Sequence, residues 1–171
     1  MAGYHAKTEN LSGGRVSGIF GLPRLSHMEL RTELEIEAPP ERVWAVLTDF
    51  SAYHEWNPFI TSIEGKLGVG ERLAVTISPP EGRDWSFRPS LVVCDAPREL
   101  RWLGHLWFKG LFDGEHFFQC NEAASGRTRF VHGENIKGFL VKYSAPMMTK
   151  VTRGFVYMNE ALKRRVERRP G

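Results

Sequence analysis

LRTELEIEAPPERVWAVLTDFSAYHEWNPF, residues 30–59, changes periodicity partway along. Leu30, Thr32, Leu34 and Ile36 alternate with Arg31, Glu33, Glu35 and Glu37, the pattern of a strand with one buried face. Pro39 and Pro40 then suit a helix start, where a missing N–H costs little. Val43, Val46, Leu47 and Phe50 recur at helical spacing, and Trp44 widens their stripe. SAYHEWNPF reads as a second short helix closed by the turn signal Asn57-Pro58. The domain therefore opens with one strand and two short helices.

Beyond residue 58 the alternation returns. FITSIEG, ERLAVTIS, WSFRPSLVVC, ELRWLGHLWF, FDGEHFFQC and RTRFVHGENIKG each read as a strand, making seven with the first. In WSFRPSLVVC, Trp85, Phe87, Pro89, Leu91 and Val93 share a face, and Pro89 predicts a bulge. The separators PPEGRD, DAPR, KGL and NEAASG are short, so successive strands are antiparallel hairpins. Met148, Val151, Phe155, Met158, Leu162 and Val166 then form the apolar stripe of a long last helix. Gly154 interrupts that stripe at a cost of ~1 kcal/mol relative to alanine, and Pro146 falls in the first turn or at a kink. The order β-α-α followed by six strands and a helix predicts an α+β fold: a curved antiparallel seven-stranded sheet wrapped around the C-terminal helix. One helix and a curved sheet cannot fill every gap between them, so a cavity is expected.

Composition agrees with one domain. The 171 residues are 42% hydrophobic with 11 Phe and 5 Trp, enough for a sizeable core. No run of about 18 apolar residues predicts a membrane span, no N-terminal apolar segment predicts a secretory signal, and the location expected by default is cytoplasmic. Cys94 and Cys120 are too few for a disulfide framework. Of the net charge of +3, KRRVERR (residues 163–169) carries +4, so the remainder is nearly neutral. Cations at a helix C-terminus complement its dipole, and without interleaved aromatics the cluster reads as a solvated helix end, with no nucleic-acid partner. Residues 1–27 are Gly-rich without a period and are expected to be disordered or left over from cloning, with a short docked piece at 19–22. Residues 28–169 form the domain, expected to be a monomer or weak dimer.

Four pieces carry a resemblance: IEAPPERVWAVLTDFSAYHEWNPFI, LRWLGHLWFKGLFDGEHFFQ, TRFVHGENIKGFL and GFVYMNEALKRRVE. Together they resemble the START-like superfamily, also called SRPBCC, and within it the polyketide cyclase/dehydrase and lipid-transport group. The resemblance spans residues 28–168. It implies the helix-grip fold and an elongated cavity between sheet and helix. Members of the superfamily carry lipids, sterols or polyketides, cyclise or dehydrate aromatic precursors, or bind partner proteins.

The candidate site follows from strand parity. The inward set is Trp102, Gly104, Gly114, His116, Phe118, Cys120, Thr128, Phe130, His132, Glu134 and Ile136, in which only His116, His132 and Glu134 ionise. If NEAASG is the hairpin turn, His116 faces His132, with Glu134 two residues on. These groups satisfy one another, or orient a ligand's hydroxyl or carboxylate at the polar end of an apolar pocket, or act as acid and base with Glu134 setting a histidine tautomer. Two histidines and one glutamate at strand spacing are a weak metal set, and no metal is predicted. The expected ligand contacts are Trp56, Phe59, Phe87, Leu91, Trp102, His116, Phe118, Phe130, His132, Glu134, Met148, Val151 and Phe155. His54 and His105 read as surface residues. No Ser-His-Asp order, phosphate loop or cofactor fingerprint is present. The leading expectation is a non-enzymatic binder of a hydrophobic small molecule without a cofactor; an aromatase/cyclase-type enzyme and a protein-interaction module using the basic end are the alternatives.

Overall fold

The computed structural model describes residues 26–105 and 109–168. Its first strand, β1 (Ser26–Ile36), buries Leu30, Thr32, Leu34 and Ile36 and exposes the acidic residues between them. The strand starts earlier than the alternation suggested: Ser26 and His27 pair with Gly138 and Lys137. Residues 19–22 lie outside the described residues.

The prolines open α1 (Pro40–Thr48) as expected, with Pro39 extended at the N-cap and Pro40 in the first turn. Val43, Trp44 and Leu47 point into the core. A 3-10 turn (Phe50–Ala52) leads into α2 (Tyr53–Trp56). Tyr53 is fully buried and its hydroxyl donates to the Leu47 carbonyl at 2.7 Å, which ties the two helices together. Asn57 then explains the turn signal: its Oδ1 accepts from the N–H groups of Phe59 (3.0 Å) and Ile60 (2.9 Å) and turns the chain into the sheet.

The sheet has eight strands rather than seven. β2 (Ile60–Glu64), β3 (Ala74–Ile77) and β4 (Trp85–Phe87) form one set; β5 (Ser90–Asp95), β6 (Glu99–His105), β7 (Asp113–Ala123) and β8 (Arg127–Gly138) form the other with β1, in the order β1-β8-β7-β6-β5. All the pairings are antiparallel. WSFRPSLVVC, expected as one strand, is divided at Pro89, which has no N–H to give to a ladder. The Pro89 carbonyl still accepts from Leu73 N–H (2.9 Å), and Leu91 exchanges bonds with Glu71 and Gly70, so the two sets are joined across the break. A bulge follows at Val92, which is exposed: Leu91 pairs with Trp102, Val93 with Arg101 and Cys94 with Leu100. Val93 therefore leaves the inner face to which alternation assigned it, and Cys94 takes its place. One extra residue inverts the parity of everything after it.

α3 (Ala145–Glu167) lies across the concave face, with Pro146 in its first turn rather than at a kink. Both ends are tied down. Lys150 and Arg153 hold Glu81 in the β3–β4 turn, while Lys163 donates to the Glu35 carbonyl and Arg165 pairs with Glu55. This is the α+β helix-grip arrangement.

Gly154 has a packing reason. The Phe59 ring lies directly on its backbone, where a Cβ would overlap the ring, and Phe59 meets Phe155 edge-to-face at 5.5 Å. Alanine would restore ~1 kcal/mol of helix propensity but would force the Phe59 ring to shift, at a cost of up to ~3 kcal/mol. Gly154→Ala is therefore expected to lower the urea midpoint, and adding Phe59→Leu is expected to recover part of the loss. A raised midpoint in the single variant would mean that propensity outweighs packing here.

Candidate functional site

The inner face of the sheet changes character along its length. Toward the Ala124–Gly126 turn, Phe118 and Phe130 stack against each other and fill the space under α3. At the other end Gly104 pairs directly with Gly114, and neither supplies a side chain. A cavity of ≈ 210 Å³ occupies this glycine end. Phe59, Ile60, Ile77, Phe87, Trp102 and Phe112 wall it from the sheet side, and Met147, Met148, Val151 and Phe155 from α3. Trp85 and His105, both exposed, mark where it reaches the surface. Its remaining polar lining is Ser86, His116 and Glu134.

His116 and His132 meet at the inner end of this cavity, with their Nε2 atoms 2.9 Å apart. Their partners assign the protons. Asn159 Nδ2 donates to Thr32 Oγ1 (2.9 Å), and Thr32 Oγ1 donates to the His132 carbonyl (3.1 Å). Asn159 therefore presents Oδ1 to His132 Nδ1, at 2.8 Å, and that nitrogen must carry the hydrogen. The Nε2 of a neutral His132 is then a lone pair that accepts from His116 Nε2–H. The same logic leaves His116 Nδ1 bare. It faces Glu134 Oε2 at 3.9 Å, too far for a direct hydrogen bond.

Burial keeps both imidazoles neutral. Burial pushes His116 down to about 3. Burial also holds His132 well below the usual imidazole range; a charge on His116 would push it further down, and the Asn159 bond opposes this only in part. Burial pushes Glu134 up to about 7. Glu134 retains 21% of its side-chain surface, which opens onto the cavity it lines. The rings are fixed by stacking: Trp102 lies parallel to His116 at 4.8 Å, and Phe155 covers His132 at 3.9 Å. The cavity thus presents side by side a carboxyl pushed up toward neutrality, which can give or take a proton, and a weakly basic imidazole lone pair, which can accept a hydrogen bond.

Of the expected contacts, Phe59, Phe87, Trp102, His116, Glu134, Met148, Val151 and Phe155 line the cavity. Leu91, Phe118, Phe130 and His132 are packed in the core, and Trp56 packs against Tyr53 at 5.1 Å. The hairpin register also differs from expectation. Asn121 and Glu122 belong to β7, so the turn is shorter; His116 pairs with Glu134 and Phe118 with His132. The shift is by an even number of residues, so parity holds and the two histidines still meet on the diagonal. The tautomer is set by Asn159 rather than Glu134. Asn159 was legible: it follows Phe155 by four residues and is a polar residue within an apolar stripe. His105 is exposed as expected, but it also stands at the cavity mouth, bonded to Asp113 at 2.8 Å. Among the described residues, no three His, Cys, Asp or Glu side chains converge in a metal-binding group. The basic helix end spends Lys163 on Glu35 and Glu167, and Arg165 on Glu55.

The polyketide cyclase / dehydrase and lipid transport family model matches residues 27–167. No curated protein sequence matches the chain. Among solved structures, the fold is similar to the aromatase/cyclase Zhui from Streptomyces sp. R1128 (TM-score 0.64, 18% identity, 85% of this chain and 96% of that one). It is also similar to truncated norcoclaurine synthase from Thalictrum flavum (TM-score 0.67, 14% identity, 88% and 100%). A third similar structure is the di-domain aromatase/cyclase BexL of the BE-7585A biosynthetic pathway (TM-score 0.69, 12% identity, 84% of this chain); this chain spans 51% of that one. At these identities the likeness establishes the fold.

The shift of Glu134 has a signature in stability. Between pH 4.5 and about 7 the folded chain keeps a proton that the unfolded chain has released, so rising pH favours unfolding in that window. The buried histidines act in the opposite sense, since they stay neutral below pH 6.5 while the unfolded chain takes up protons. Glu134→Gln removes only the first effect. Its stability relative to the parent is expected to rise from pH 4.5 to a plateau above pH 7, by up to ~3 kcal/mol. Urea denaturation of both proteins across this range measures it, and a flat difference would show that Glu134 titrates normally.

Proposed function

The chain belongs to the polyketide cyclase / dehydrase and lipid transport family, and from that premise we propose that it binds a hydrophobic small molecule in the cavity between the sheet and α3. The observation that carries this reading is an apolar cavity of ≈ 210 Å³ whose lining, among the described residues, holds one carboxyl, the partly buried Glu134. An engineered cavity of ~150 Å³ takes up benzene, so this one suits a two-ring skeleton of polyketide type or a short acyl chain. Aromatic walls supply contact area, and the few polar groups fix orientation. The intramolecular pairing of Lys163 and Arg165 favours this reading over a protein-interaction role for the basic end.

One feature favours a second reading, an aromatase/cyclase-type enzyme. Glu134 titrates near neutrality beside the bare Nδ1 of His116, which suits proton transfer during cyclisation or dehydration. His116→Gln would then abolish turnover with the fold intact.

Native mass spectrometry of gently purified protein is expected to show extra mass that leaves on denaturation. Trp85 and Trp102 line the cavity, so titration with 2-naphthylmethanol is expected to change tryptophan emission. Val151→Trp fills the space and is expected to abolish both signals. Neither bound mass nor a probe response in the parent protein would overturn the binding reading.

A further inference from the structure

We infer that the cavity selects its ligand by a hydrogen-bond-donating head, a hydroxyl or an amine, and rejects molecules headed by a carboxylate. The inference rests on the binding reading above and adds the chemistry of the head group. It follows from what the inner end of the cavity can accept and what it cannot supply.

Two acceptors converge there. His116 Nδ1 is a lone pair, because Asn159, Thr32 and His132 take up the hydrogens of the chain behind it. The Glu134 carboxyl is the second, with its Oε2 3.9 Å from that nitrogen. This gap is too long for a direct bond and short enough for one small group to reach both atoms. A hydroxyl placed there donates to His116 Nδ1 and accepts from the acid form of Glu134. An amine donates to His116 Nδ1 and to Glu134 at once.

A carboxylate finds no such complement. No lysine or arginine lines the cavity among the described residues. The other polar lining groups carry no net positive charge to offer: Ser86 is a neutral hydroxyl bonded to Thr76 Oγ1 at 2.8 Å, and His105 Nδ1 is paired with the Asp113 carboxylate at 2.8 Å. An acidic head would bring an anion beside a lone pair in a largely apolar lining, with no cation and only the acid form of Glu134 to offset its desolvation.

The test uses three probes on one skeleton: 2-naphthylmethanol, 2-naphthylmethylamine and 2-naphthoate, titrated calorimetrically into the full chain at neutral pH. The alcohol and the amine are expected to bind, and the naphthoate to bind at least about tenfold more weakly, the factor that one charge-assisted hydrogen bond supplies. In Glu134→Gln, checked for folding by its urea transition, the amine is expected to lose about tenfold relative to the naphthoate. Naphthoate binding as tightly as the alcohol, or an unchanged amine-to-naphthoate ratio in Glu134→Gln, would overturn the inference and leave the binding reading standing. Binding of none of the three would overturn that reading, and the inference with it.

Discussion

A helix about 10–12 Å across has to cover a sheet whose strands stand ~4.8 Å apart. A flat sheet of this many strands would leave most of its apolar face wet. The protein meets the constraint by curling the sheet around α3, with the break at Pro89 and the bulge at Val92 supplying bend where the two strand sets join. The curl brings β1 and β8 under the helix at one side and β3 and β4 at the other, and the ties to Glu81, Glu35 and Glu55 hold α3 in the trough. Curvature also decides where space is left. Rings as large as Phe118 and Phe130 fill the trough at one end, while the Gly104–Gly114 pair leaves room at the other for the Glu134 carboxyl and the cavity.

The histidine pair sits at the boundary between these two halves and belongs to both. On the filled side it is saturated: Asn159, Thr32 and a backbone carbonyl absorb its hydrogens in one direction, and a fully satisfied buried network is tolerated where a partial one is not. On the cavity side the same chain ends in an unspent lone pair beside a carboxyl that makes no direct hydrogen bond among the described residues. The bland and the functional readings of these residues are thus both correct, each for one face of the cluster. His132 is structural, and its fixed tautomer determines what His116 offers to the cavity.

Much of this was legible in the residues. The strand-to-helix passage at residues 30–59, the long apolar stripe of α3 and the inward parity of His116, His132 and Glu134 all follow from periodicity, which is local. What was not legible depends on non-local geometry. Parity cannot register an extra residue at Val92, so Val93 and Cys94 exchanged faces. Nor does it show how far along the trough the filled region extends, so Phe118, Phe130 and Leu91 were expected at the cavity although they are core. The glycines at 104 and 114 were visible on the inner face, but their direct pairing depends on the β6–β7 register. Asn159 stands out as a polar residue beside an apolar helix stripe, but its partners, Thr32 and His132, lie on strands far away in sequence.

The placement of β1 has a consequence for how the chain comes into being. Among the described residues β1 pairs only with β8, and Thr32 bonds a carbonyl one hundred residues further on. During synthesis at ~5–20 residues per second, the first strand therefore emerges some ten seconds before its partner exists, on that order of magnitude. Throughout that interval its apolar side can be covered only by α1 or by transient contacts. The acidic residues at 29, 33 and 35 on its other face then help to keep an unpaired, half-apolar strand from pairing with a neighbouring copy, because like charges on an exposed edge repel. In the finished protein they look like ordinary surface polarity; on the ribosome they guard an open edge until the last third of the chain arrives.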